Sequence, residues 1–228
     1  MKKVFLTLAL AAFAFAANAQ FVISGNLGFS HSGEKYTLDN KDDYSSNPMK
    51  FNNFNLALKA GYQINDNLQA GVLLGYATNS DITEYPEATD PTKTDSKSTR
   101  KINTINLGVY GRYNITSFGD LNLFAEGTVR IAMGSGKTDY EFPGGSTSTD
   151  EPKTFGLGID IVPGVSYQLT DNLSAELYFD FVSLGFHSNK TTWDKSVIGV
   201  DRTYTDTDFG FGVNGLGSAL SVGVTYKF

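Results

Sequence analysis

The 228-residue chain contains no cysteine, which excludes a disulfide framework, a cysteine-anchored lipid and a thiolate metal site. It has only two histidines, His31 and His187, so histidine-rich metal or acid–base chemistry has little to draw on. Proline is scarce as well. Pro48, Pro86, Pro91, Pro143 and Pro152 fall in polar stretches, and only Pro163 interrupts an alternating segment, where a bulge or weak hydrogen bonding is expected. Beyond the first twenty residues no run of about 18 apolar residues occurs, which excludes a transmembrane helix. A formal net charge of −6 argues against nucleic acid as a partner. There is no phosphate-binding loop, dinucleotide fingerprint, zinc-helix motif or calcium-loop spacing. Glycine (24), phenylalanine (17) and tyrosine (12) are abundant, a mixture that suits glycine- and aromatic-rich sheets.

The start of the chain reads as a secretory leader. Lys2 and Lys3 precede the apolar run Val4–Ala17, and Ala17-Asn18-Ala19 is a small-x-small cleavage site. Residues 1–19 are therefore expected to be removed, leaving 20–228 as one domain. Within it a phrase repeats: Tyr62-Gln63-Ile64-Asn65-Asp66-Asn67-Leu68 returns as Tyr167-Gln168-Leu169-Thr170-Asp171-Asn172-Leu173. Each copy is an alternating strand, a polar turn and a second alternating strand, hence a tight hairpin. Tyr113 to Phe124 reads as a third.

Period-two alternation predicts eight strands, at about 21–30, 54–64, 68–77, 102–115, 121–133, 155–169, 173–185 and 220–228. Long polar loops are expected at about 31–53, 78–101, 134–154 and 186–217. Phe209-Gly210-Phe211-Gly212-Val213 alternates out of phase with Leu220 and reads as an extension of the last strand through a bulge near Asn214-Gly215. A further hairpin there would raise the count to ten. Short turns thus alternate with long loops, and tyrosines stand beside the short turns. Both features point to a barrel crossing a membrane, with its apolar face towards lipid rather than inward around a ligand. Tyr62, Tyr113, Tyr167, Tyr226 and the terminal Phe228 are assigned to the interfacial girdle.

The opposite face carries charge and glycine. Lys59, Arg112, Glu126, Arg130, Asp160, Glu176 and Asp180 are expected to point into the lumen as a salt-bridge network, since an isolated charge there would be costly. Eight strands leave room only for side chains, so an open pore of useful size is not expected. An ion pathway through the network, or catalysis by paired carboxylates, is the competing reading. The histidines, as His31-Ser32 and His187-Ser188, read as exposed loop residues. The sharper alternatives are a lipid-modifying site or a weak metal site. Acidic loop clusters read as solvated surface, with cation bridging to lipopolysaccharide phosphates as a minor role.

The leader, the repeated Tyr-Gln-x-x-Asp-Asn-Leu hairpins and the ending Tyr226-Lys227-Phe228 resemble the outer-membrane β-barrel domain family, the porin-like group that includes OmpA-type and OmpX-type barrels of Gram-negative bacteria. That resemblance implies an all-β fold: an eight-stranded, antiparallel, up-and-down transmembrane barrel in the outer membrane. It also implies insertion by the barrel assembly machinery through the C-terminal strand, contact with outer-membrane lipid and lipopolysaccharide, and a monomer. No cofactor is implied and no catalytic residue carries over. A structural or surface-interaction role with an unknown extracellular ligand is expected. A small channel or a lipid-modifying enzyme are the alternatives.

Overall fold

The computed structural model describes residues 20–37, 45–86, 94–179, 182–193, 201–213 and 220–228. Eleven strands are present: β1 (Gln20–Thr37), β2 (Ser45–Gln63), β3 (Leu68–Pro86), β4 (Thr94–Phe118), β5 (Leu121–Glu141), β6 (Thr147–Asp150), β7 (Pro152–Gln168), β8 (Leu173–Phe179), β9 (Val182–Trp193), β10 (Arg202–Val213) and β11 (Leu220–Lys227). All pairings are antiparallel. Strands β1, β2, β3, β4, β5, β7, β8 and β11 close into a ring of eight, β11 pairing with β1 and β5 with β7. Carried once round the ring, the register climbs by about ten residues, the stagger that tilts strands in a small closed barrel. Closure leaves the membrane-level backbone without the unpaired edge that lipid could not satisfy.

The repeated phrase folds the same way twice. Ile64 N donates to Leu68 O at 2.7 Å and Leu169 N to Leu173 O at 2.8 Å. Asn65 Oδ1 accepts from the backbone N of Asn67 and Leu68, both at 2.9 Å, and Thr170 Oγ1 accepts from Leu173 N at 3.1 Å. The third turn bends at Gly119, whose φ of 62° favours glycine. At the seam, Phe228 N donates to Phe21 O at 2.9 Å, and the Phe228 ring packs 5.6 Å from Phe21 and 4.8 Å from Tyr226.

Alternation sends one residue of each pair outward. A row runs across six strands in register: Ala60, Val72, Val109, Val129, Ile159 and Phe186. On β4 the exposed apolar side chains extend from Ile105 to Ile115, about 33 Å along the strand and about 25 Å of height once it is tilted, which matches a lipid-facing band. The inverse arrangement, an apolar centre with a polar exterior, is absent from the described residues: Phe21, Leu58, Val72, Leu107, Val109, Leu157 and Val224 are all exposed, while Lys59, Arg112, Glu126 and Glu176 are buried.

Two expectations are corrected. Much of the segments assigned to loops is strand: β4 has 25 residues and β5 has 21, where about 9–11 cross a bilayer. The upper ladder continues through Thr, Ser and Asn because hydrogen bonding persists where water wets both faces and apolar alternation is no longer needed. Strand seven does not keep one face inward along its length. On β8 the inward residues are Glu176 and Tyr178. On β9 the outward ones are Phe186 and Lys190, and His187 turns inward, so an odd number of residues has shifted the faces. Across from this step, among the described residues, the β7 ladder skips Val162 and Pro163. The Phe209 segment agrees with its expectation: it pairs with β9 while β11 pairs with β8, so it extends the last strand of the eight and adds no hairpin. The bulge expected at Asn214-Gly215, like the leader at 1–19, lies outside the described residues.

Candidate functional site: the charged lumen

The barrel interior is filled at its short-turn half. Lys59 from β2, Arg112 from β4, Glu126 from β5 and Glu176 from β8 are all buried. Arg112 and Glu126 are cross-strand partners; the other two reach the same place from the facing wall. The Arg112 guanidinium donates to Glu126 Oε2 through Nε (3.1 Å) and Nη2 (2.8 Å), and to Glu176 Oε2 through Nη2 (3.1 Å). Its Nη1 bonds Glu176 Oε1, and Lys59 Nζ bonds Glu126 Oε1. Two cations thus meet two anions, and the cluster is neutral.

Neutral side chains complete its hydrogen bonding. Tyr178 Oη accepts from Lys59 Nζ at 3.0 Å and from Arg112 Nη2 at 2.5 Å, and donates to Glu176 Oε2 at 2.7 Å. Thr225 Oγ1 donates to Glu176 Oε1 at 2.5 Å. The Arg112 guanidinium lies 4.2 Å from the Phe124 ring centroid, and Lys59 Nζ lies 4.5 Å from that of Tyr178. Such satisfaction is what lets four charges share a dry interior. Phe124 has no solvent exposure and packs edge-on against Tyr178 at 5.3 Å. The ring needs Gly164: a Cβ there would run into Phe124 Cζ.

A second group lies nearer the far end. Arg130 Nη1 bonds Asp160 Oδ2. His187 Nε2 is 2.7 Å from Asp160 Oδ1 and 3.3 Å from Arg130 Nη2, and its Nδ1 is 3.4 Å from Asp208 Oδ1. Arg130 and His187 are each about one-third exposed, so this group meets water from the open end.

Of the seven residues assigned to the lumen, six fall into these two groups: Lys59, Arg112, Glu126 and Glu176 in one, Arg130 and Asp160 in the other. Asp180 lies outside the described residues. Glu126 and Arg130, four apart on one strand, belong to different groups and do not pair. Tyr62, Tyr113, Tyr167, Tyr226 and Phe228 stand exposed on the outer face beside the short turns. The expectation for His187 is corrected: the face shift in strand seven turns it into the lumen. His31 is exposed and holds Asn52 Oδ1 at 2.7 Å through Nδ1. It stands next to Phe29's face, outside the wall, so the two histidines cannot share one site. Sequence reasoning missed Val22, Tyr110, Phe124 and Thr225. Their signal was position: each lies an even number of residues from a polar lumen residue on its own strand. Among the described residues, no group of three or more His, Asp or Glu is arranged to hold a metal ion.

A closed antiparallel ring, apolar outside and ion-paired inside, defines a small transmembrane β-barrel. The chain belongs to the outer membrane protein beta-barrel domain family, which matches residues 4–228, and it is an outer-membrane protein. A major outer membrane protein of Thermus thermophilus is similar in structure, with a TM-score of 0.52 at 12% identity over 92% of this chain and 100% of that one. Also similar are neisserial surface protein A (TM-score 0.38, 18% identity, 92% and 97% covered) and OprG of Pseudomonas aeruginosa (0.42, 14%, 92% and 96%). Among curated proteins none matches the chain.

Proposed function

We propose that this barrel is a non-enzymatic envelope protein, delivered by a cleaved leader, whose bore is shut and whose projecting strands present a surface for interaction outside the cell. The observation that carries the reading is the buried cluster. Lys59, Arg112, Glu126, Glu176, Tyr178 and Phe124 meet in one place from strands on facing walls of the ring. An eight-stranded bore is only as wide as such side chains. Strands of 21 and 25 residues extend well past the apolar band and give the outer end a stiff β-wall. Side chains on that wall are mostly Ser, Thr, Asn, Lys and Asp, a composition suited to hydrogen-bonded contacts.

Planar-bilayer recording tests the closed bore. The purified protein is expected to give no resolved conductance steps. Steps that persist unchanged after Glu126→Gln and Arg130→Gln would contradict the plug and favour the narrow-channel reading. The surface role is tested by binding to host or neighbouring cells. Cells displaying the full barrel should adhere more than cells displaying one with the rim strands shortened on both sides of the 87–93 connection. Equal adhesion would remove that half of the proposal.

A further inference from the structure

Five lysines form a belt around the outside of the barrel, above its apolar band. Lys101 on β4 and Lys137 on β5 are direct cross-strand partners. Lys153 on β7 faces Ser135, one pleat below Lys137, and Lys190 on β9 faces Phe155, one pleat below Lys153. In the other direction, Lys50 on β2 faces Ile82, one pleat above the Ser80 that faces Lys101. Followed along the ladder, the lysines form a descending staircase. The register climbs by about ten residues per circuit, a little over one per strand, so a staircase of this slope runs level round a tilted barrel.

All five share the outward face. Lys101, Lys137, Lys153 and Lys190 are exposed and Lys50 is half-buried. Beneath them lie uncharged polar residues, Asn52, Asn103, Ser135 and Ser188. Beneath those comes the upper edge of the apolar band: Phe54, Ile105, Met133, Phe155 and Phe186. Four residues separate Ile105 from Lys101, about 10 Å of height on a tilted strand. The layer just outside the hydrocarbon is where lipid headgroups sit, and a lysine stem can reach down to it. Among the described residues, Lys50, Lys101, Lys137 and Lys190 hold no ion pair, although the chain as a whole is acidic. The nearest outward acids, Glu84, Asp139 and Glu151, each stand one pleat or more above the belt, and Asp139 accepts from Thr149 at 2.7 Å.

We infer that this belt binds the phosphate groups of phosphorylated glycolipid in the outer leaflet. The inference rests on the lipid-facing orientation and is independent of the surface role proposed above. Lysine suits phosphate as a compact point charge, and a lipid surface offers many phosphates at one height, as the belt offers ammonium groups. Each juxtamembrane lysine is worth about fivefold in affinity for an anionic surface.

The test is native mass spectrometry of the folded full-length barrel in detergent, with bis-phosphorylated lipid A, its dephosphorylated form and inorganic phosphate as probes. The wild type should retain the phosphorylated lipid at least about tenfold better than the dephosphorylated one. Lys101→Gln/Lys137→Gln/Lys153→Gln/Lys190→Gln should abolish that preference, whereas Lys227→Gln at the opposite end should keep it. If the fourfold variant does not fold, Lys101→Gln/Lys137→Gln alone should reduce retention about 25-fold. Equal retention of the two lipids by the wild type, or an unchanged preference in the variants, would overturn the inference. So would displacement of the lipid by millimolar inorganic phosphate, which would mark a site for the free anion.

Discussion

Arg112→Ala should lower the stability of the folded barrel by about 3–5 kcal/mol, the cost of breaking a buried ion pair from one side. Arg112 holds both carboxylates of the lumen cluster and lies against Phe124. Without it Glu126 and Glu176 share Lys59 alone, and an excess negative charge remains in a dry interior. Charge balance, rather than loss of volume, is the larger part of that cost. Pairing Arg112→Met with Glu176→Gln restores neutrality, leaving Lys59 and Glu126 matched, and should recover more than about 1 kcal/mol in a double-mutant cycle. Urea titration in lipid vesicles, read by gel mobility of boiled and unboiled samples, measures both. A loss below about 1 kcal/mol for Arg112→Ala would match a solvated surface pair and would mean that the interior is wet.

Val109→Lys is the second large effect. Val109 sits midway up the outer face, between Val72 and Val129 on the neighbouring strands. A lysine near the bilayer midplane of a barrel costs about 2–4 kcal/mol, falling towards zero at the interface. The same vesicle titration should show that loss. Asn103→Lys, on the same face but above the band, should stay within about 0.5 kcal/mol. Equal effects at the two positions would mean that no depth gradient exists along β4.

How much of this was legible in the sequence depended on what surrounds each segment. Where lipid meets one face and a packed lumen the other, the chain must alternate, and the period revealed every membrane-level strand from Phe21 to the terminal Phe228. Charges on the inward face were legible for the same reason: Lys59, Arg112 and Glu176 interrupt no apolar row. Above the membrane the constraint disappears. The upper halves of β3 and β4 are wet on both sides, so Thr, Ser and Lys serve equally well inward or outward and the strands read as loops. His187 was misplaced because the face shift between β8 and β9 leaves no mark in the alternation on either side of it. Phe124 and Tyr110 were missed because an aromatic ring filling a lumen is indistinguishable, by hydropathy, from one facing lipid. The lysine belt needed the register: residues as distant as Lys50 and Lys190 come level only when the stagger of the ring is known.

The central claim is that the apolar side of the sheet touches acyl chains. With no native cysteine, single cysteines can be placed at Thr104, Ile105, Asn106, Leu107, Gly108 and Val109 of β4 and labelled with a small fluorophore in vesicles containing brominated lipid. The account predicts strong quenching at 105, 107 and 109 and little at 104, 106 and 108. Quenching at the even positions with protection at the odd ones would contradict it, as would a folded protein that stays dissolved without detergent.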